Sequence, residues 1–164
     1  MKKTFTFILL FAVLLFSFCS CIEIDTGDTQ DEDSDSAQAD KSSNSKLGDY
    51  EVVIQSARLA TDYEGKPVII VQCKFTNNGD DPASFEWSLD YAAYQDGIGL
   101  NECYFVDESE NYSSDNQTKE IKKGATLTVE IAYELNDTTT DVEVEISEYL
   151  SFSDKKITKS FSID

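Results

Sequence analysis

Four cysteines, 32 carboxylates and no histidine set the chemistry open to this 164-residue chain. Without imidazole, no Ser-His-Asp or Cys-His nucleophile system can be assembled, and zinc sites lose a usual ligand. Two of the cysteines, Cys19 and Cys21, close an apolar N-terminal run; the other two, Cys73 and Cys103, lie in the body of the chain. In an exported protein Cys73 and Cys103 can pair as a disulfide, and inside a core each can equally remain a buried thiol behaving as a small hydrophobe. The stretch 106–119 is the longest polar connection inside the domain, and it carries Asp107, Glu108, Glu110 and Asp115 around Tyr112. Calcium takes such oxygens together with backbone carbonyls, so this loop is the candidate metal or ligand site. Tyr91, Tyr94, Tyr104 and Tyr112 lie near it in sequence. Aromatic rings beside carboxylates suit a sugar or a protein partner, although a core role for Tyr91 is the plainer reading. A glycosidase can run on two carboxylates, but no motif marks a pair here. A Gly-x-Ser-x-Gly elbow and a phosphate-cradling glycine loop are both missing from the sequence. The expectation is a protein that is not an enzyme and uses no cofactor.

The elements that would position these residues begin with an address. Lys2 and Lys3 precede an apolar run from Thr4 to Phe18. This is the layout of a secretory signal peptide, too short for an ordinary membrane span. Phe18-Cys19-Ser20-Cys21 resembles a bacterial lipobox, in which a small residue precedes the cysteine that receives a diacylglyceryl group. Cys21 follows the small Ser20 and fits; Cys19 follows the bulky Phe18 and does not. Phe18 stands where that signal prefers Leu. The resemblance implies a signal peptide over 1–20 and lipid attachment at Cys21. An uncleaved anchor helix, or a plain thiol at an ordinary cleavage site, are the other readings. Two acyl chains hold a protein on a membrane stably, so the expected location is the outer face of the cell membrane, lipid-anchored.

From 21 to 46 the chain is acidic and polar, and residues 25–46 contain no aromatic and no large aliphatic side chain. Such a segment cannot offset its ordering entropy by burial and reads as a disordered, self-repelling tether. Asp31, Asp33 and Asp35 have the spacing that opens an EF-hand loop, but Ser36 stands where glycine is required and Ser42 where the closing glutamate belongs. They read as a solvated charge run.

Residues 47–164 form the expected domain, and its pattern is alternation. Leu127, Val129, Ile131, Tyr133 and Leu135 share one parity, as do Val142, Val144 and Ile146, and Ile157, Phe161 and Ile163. Phe85, Trp87, Leu89 and Tyr91 alternate in the same way and predict a strand with Trp87 facing inward. Pro67 to Phe75 opens apolar on both faces, as a central strand does. The parity slips from Val52 and Ile54 to Ala57 and Leu59, which predicts a β-bulge near Ser56. Turn residues punctuate the runs at Gly65, Asn78-Gly79, Asp96-Gly97, Gly124 and Asn136-Asp137. The fold class is all-β, an antiparallel sandwich of about seven strands. The net charge of −19 argues against nucleic acid as a partner, because phosphate binding needs a basic surface.

Cys73 followed by Trp87 resembles the immunoglobulin pairing of a strand-B cysteine with a strand-C tryptophan, but the strand from Val142 to Tyr149 has no second cysteine. A wider resemblance rests on Gly48-Asp-Tyr-Glu-Val-Val-Ile54, Val71-Gln-Cys-Lys-Phe-Thr-Asn-Asn78, Tyr94-Gln-Asp-Gly97, Ile121-Lys-Lys-Gly124 and Ala132-Tyr-Glu-Leu135. In these the chain resembles the immunoglobulin-like domains of unknown function found in secreted lipoproteins of Gram-positive bacteria. The resemblance implies a sandwich on a lipid-anchored tether and no assigned activity. The expected role is a surface module that binds an extracellular protein or cell-wall partner. The alternative is a saccharide or calcium binder using the 106–119 loop, and a weaker third idea is inhibition of a basic exported enzyme.

Overall fold

Alternating apolar residues become strands when one face can be buried, and this happens along most of the domain. The computed structural model describes residues 45–163. The expected signal peptide over 1–20, the expected lipid site Cys21 and nearly all of the expected tether lie outside the described residues. Eight strands run in chain order: β1 Lys46–Leu47, β2 Tyr50–Thr61, β3 Pro67–Asn77, β4 Leu89–Gln95, β5 Ile98–Gly99, β6 Thr126–Glu134, β7 Val142–Glu148 and β8 Lys156–Phe161. They form two four-stranded sheets, ordered β1-β2-β3-β6 and β5-β4-β7-β8. Each pairing is antiparallel. The expected all-β sandwich is what forms, with eight strands, two of them (β1 and β5) only two residues long.

The inward faces meet in one core. Val52, Ile54, Ile69, Val71, Cys73, Phe75, Val129, Ile131 and Tyr133 come from the first sheet; Leu89, Ala93, Val142, Val144, Ile146 and Ile157 come from the second. Burying a side chain of this size is worth about 1.5–3 kcal/mol relative to leaving it exposed, so this cluster holds the two sheets together. The bulge falls where the parity slips: the register of β2 on β3 jumps between Ile54 and Ser56. Lys159, on β8 of the other sheet, donates from Nζ to the Ile54 carbonyl at 3.3 Å and the Gln55 carbonyl at 3.0 Å. The bulge is thereby clasped to the opposite sheet.

The strand expected over Phe85–Tyr91 begins only at Leu89. Phe85–Ser88 is a single helical turn, entered from an extended Ser84. The chain must pass here from β3 in one sheet to β4 in the other, and Ala83 is tied to Ile121 by a pair of backbone hydrogen bonds of 3.1 and 2.8 Å. A helical turn puts residues four apart on one face. Phe85 and Leu89 therefore both point inward, and Trp87 is turned out to 73 % exposure. The core position expected for tryptophan belongs to Phe85, which meets Phe75 edge-on at 5.9 Å and 89° and lies 5.1 Å from the Tyr91 ring. No Cys73–Trp87 core pair forms.

Buried polar side chains fix the connections. Gln95, at the end of β4, donates from Nε2 to the carbonyls of Asp137 and Thr140 at 3.1 and 2.8 Å, and its Oε1 accepts from the Asn136 N–H at 2.8 Å. Within that 135–141 connection the Asp137 carboxylate accepts from the Thr139 and Thr140 N–H groups at 2.8 and 2.7 Å and from both hydroxyls. The two backbone donors, with the Thr140 hydroxyl, hold its pKa down at about 2. A carboxyl depressed in the fold stabilises it above the ordinary carboxyl pKa and loses that contribution as pH falls through the depressed value. Asp137→Asn should therefore be less stable than the parent at pH 5 to 7, and the difference should close as the pH approaches 2. Paired urea melts across that range check it.

Candidate functional site

The polar stretch 106–119 was the first candidate for chemistry, and the fold gives it another task. Around it the chain crosses the outer face of the first sheet and is fastened at both sides. At the β6 edge the Cys103 N–H donates to the Ala132 carbonyl at 2.8 Å, and the Glu134 N–H to the Asn101 carbonyl at 2.9 Å. At the end of β2 the Asp107 N–H donates to the Thr61 carbonyl, and the Tyr63 N–H to the Phe105 carbonyl, both at 3.0 Å. Beneath the crossing lies a second buried cluster of Ala60, Val68, Ile70, Cys103 and Ala132, with Val106 and Tyr112 packed on it. This explains why β3 is apolar on both faces: one face meets the other sheet and part of the other meets this cover.

The four carboxylates of the candidate loop do not converge. Asp107 turns back on its own 3₁₀ turn, accepting from the Ser109 N–H at 2.8 Å and the Ser109 hydroxyl at 2.6 Å. Those bonds hold its carboxyl below the ordinary range. Glu110 turns toward β2, where Oε1 accepts from Thr61 N–H at 3.2 Å and Thr61 Oγ1 at 3.3 Å. Its carbonyl accepts from Arg58 Nη2 at 3.2 Å, and Arg58 is paired with Glu130 at 2.7 Å. Glu108 and Asp115 are exposed. Among the described residues no three His, Cys, Asp or Glu side chains are grouped so as to hold a metal ion. Calcium at millimolar concentration should leave the melting temperature unchanged relative to chelator, since a ligand that binds only the folded state must raise it.

Cys73 and Cys103 are free and buried. Cys73 shares its face of β3 with Ile69, Val71 and Phe75, whereas Cys103 packs with Val68 and Ile70 on the other. The sheet stands between the two thiols, so the disulfide weighed above is not formed. Burial pushes the Cys73 thiol up to about 12, which makes it an inert core residue. The tyrosines are dispersed. Tyr91 is half-buried, with its hydroxyl donating to Glu86 Oε2 at 2.8 Å. Tyr112 is half-buried under the cover, its hydroxyl raised to about 12 by burial. Tyr94 lies on β4, and Tyr104 is 73 % exposed.

The surface instead gathers residues that belong to no sequence motif. An open groove of about 730 Å³ is lined by Tyr63, Tyr104, Phe105, Val106, Asp107 and Glu108. Tyr63 and Phe105 stand in a T-shaped pair, 6.0 Å between centroids at 78°. A second groove of about 240 Å³ is lined by Glu86, Trp87, Asp90, Tyr91, Glu102 and Tyr149. The Tyr149 N–H, donating to the Ser88 carbonyl at 3.0 Å, fixes the end of β7 to the helical turn that carries Trp87. The short segment 102–105 contributes to each: Glu102 lines one groove and Tyr104 and Phe105 the other. The sequence gives a faint signal for this surface, since Tyr104-Phe105 and Tyr149-Leu150 are adjacent large apolar pairs outside the alternating runs.

Residues 25–148 match the sequence profile of a domain of unknown function, DUF5067. The fold is similar to three solved structures. A candidate lipoprotein of Staphylococcus aureus is 20 % identical with a TM-score of 0.55, over 72 % of this chain and 91 % of that one. A protein from Enterococcus faecalis is 18 % identical with a TM-score of 0.54, over 74 % and 92 %. The yjhA protein of Bacillus subtilis is 12 % identical with a TM-score of 0.50, over 73 % and 94 %. No curated protein matches the chain.

Proposed function

The chain belongs to the DUF5067 family of domains of unknown function, and from that premise we propose that it is a lipid-anchored surface protein whose immunoglobulin-like sandwich is a non-catalytic binding module. The observation that carries the reading is the pair of grooves, in which Tyr63, Trp87, Tyr104 and Phe105 are held at least two-thirds exposed on a rigid scaffold. Large aromatic side chains held in water at this density mark interaction surfaces more often than they mark chance. The strand order supports the immunoglobulin-like description. A three-strand array β2-β3-β6 facing β5-β4-β7-β8 has the connectivity of strands A, B and E against C′, C, F and G. The candidate-lipoprotein neighbour and the Phe18-to-Cys21 motif support the anchor.

The groove linings support binding over catalysis. They are mostly rings and carboxylates, neither holds a thiol, and the one hydroxyl bonded to a carboxylate, Tyr91 on Glu86, belongs to a half-buried phenol whose pKa is raised by burial. The saccharide or calcium alternative gains nothing from the 106–119 loop, whose Asp107 caps its own turn and whose Glu110 is bonded to Thr61.

Crosslinking on intact producing cells, followed by affinity recovery and mass spectrometry, tests the reading. A reproducible extracytoplasmic protein partner is expected; recovery of nothing above background would overturn it. The anchor has its own test. Cys21→Ala should move the protein from the membrane fraction into the medium or leave unprocessed precursor, because the acyl chains supply the membrane affinity. Unchanged partitioning into the detergent phase would refute the lipidation.

A further inference from the structure

The two grooves share one ridge, and their charges have one sign. Asp107 and Glu108 line the first; Glu86, Asp90 and Glu102 line the second; no lysine or arginine lines either. Tyr91 shows how closely these carboxylates crowd. Its hydroxyl is raised first by burial, then by the hydrogen bond to Glu86, then by the field of Glu102. Tyr104, in the first groove, is raised chiefly by its interaction with Glu102, then by burial and by the field of Glu86. Lysine and arginine side chains are attracted both to carboxylates and to the faces of Trp and Tyr rings, and Trp is the strongest such partner. A surface that alternates rings with carboxylates in no ion pair among the described residues fits a partner that alternates cationic heads with apolar stems.

Leu150 strengthens the case for a shaped surface. It is a non-glycine residue at φ +53°, a backbone region that L side chains rarely adopt, and it is exposed, as is Phe152 two residues on. The β7–β8 connection thus presents Tyr149, Leu150 and Phe152 outward, with Tyr149 in the groove that Trp87 lines.

The geometry points to a single docking surface, running from Tyr63 and Phe105 across Glu102 to Trp87 and Tyr149, for an extended basic segment of a polypeptide partner. This rests on the binding-module reading and names the partner's chemistry. Two grooves side by side favour a chain over a single small cation, which one groove alone would hold. The net charge of −19 also draws a basic partner to the protein from a distance.

The chain contains one tryptophan, so its emission reports on the second groove directly. The experiment titrates the full chain in detergent with a (Lys-Gly)₄ peptide, its Nε-acetyl-lysine counterpart and tetramethylammonium, at about 0.15 M salt, where surface charges separated by more than about 8 Å are screened. A saturable change in Trp87 emission is expected with the lysine peptide alone. Asp90→Asn with Glu108→Gln removes one carboxylate from each groove, and neither side chain makes a hydrogen bond among the described residues, so the fold should be kept. That pair should weaken binding at least tenfold. Asp141→Asn with Glu143→Gln makes the same charge change elsewhere on the domain and should weaken it less than twofold.

Equal weakening by both pairs would reduce the attraction to bulk charge and overturn the proposal. So would tetramethylammonium saturating as tightly as the peptide, or emission that does not change. A partner recovered from cells alongside any of those results would leave the binding module standing and remove only this surface.

Discussion

Phe85→Ala should destabilise the domain by about 3–5 kcal/mol, while Trp87→Ala, two residues away, should change its stability by no more than about 0.5 kcal/mol. Alternation forecasts instead that both are costly, because it sets Phe85 and Trp87 on the same inward face. The difference comes from the helical turn Phe85–Ser88, which pairs Phe85 with Leu89 on the inward side and sends Trp87 outward. Phe85 is fully buried and bridges two ring contacts, to Phe75 on β3 and Tyr91 on β4. Its removal leaves a cavity between the sheets, lined by residues already committed to other contacts, so collapse is limited. Denaturant melts of the two variants give the comparison. The emission of the parent adds a second readout: Trp87 in water emits far to the red and is open to collisional quenchers. A blue-shifted, shielded tryptophan, or a costly Trp87→Ala, would return Trp87 to the core and close the second groove.

The same residues show how much of the fold can be read in the chain. The strands β2, β3, β6, β7 and β8 are legible because period-2 burial leaves a period-2 sequence, and even the bulge at Gln55 is written in the slip from Ile54 to Ala57. Phe85-Glu-Trp-Ser88 is not legible in this way. Over four or five residues, positions i, i+2 and i+4 satisfy a strand, while i and i+4 satisfy a helical turn, and only the need to cross between sheets decides. The candidate site was harder still. Asp107, Glu108, Glu110 and Asp115 look like ligands because nothing in a sequence shows that Ser109 and Thr61 occupy Asp107 and Glu110. The two grooves draw on residues 63, 86–91, 102–108 and 149, which become neighbours only through sheet order. No local spacing carries that information. The pairing of Cys73 with Cys103 was open for a related reason, since parity places Cys73 inward but does not give the face on which the chain returns with Cys103.

Ile70→Ala should cost about 2–5 kcal/mol, although Ile70 points away from the main core. Strand parity sets it on the outer face of β3, and an uncovered residue there would lose little on truncation. Val53, on the neighbouring strand and 40 % exposed, is the matched control, and Val53→Ala should cost less than about 1 kcal/mol. Ile70 is fully buried because the segment from Cys103 to Gln117 lies across it. That segment is pinned by Arg58 to the Glu110 carbonyl, by Gln117 Nε2 to the Glu130 carbonyl at 2.5 Å, and by Asn116 Nδ2 to the Thr128 carbonyl at 2.9 Å. Truncation at Ile70 should also speed hydrogen exchange at the Cys103 and Asp107 amides relative to β7, because both donate to the sheet from the cover. A cost for Ile70→Ala as small as for Val53→Ala, with exchange unchanged, would mean that the acidic loop stands off the sheet and is free to close on a ligand. The large cost means that the loop is spent on structure. Its anchored start then holds Glu102, Tyr104 and Phe105 in place as the ridge between the grooves, so that a partner meets a surface already formed.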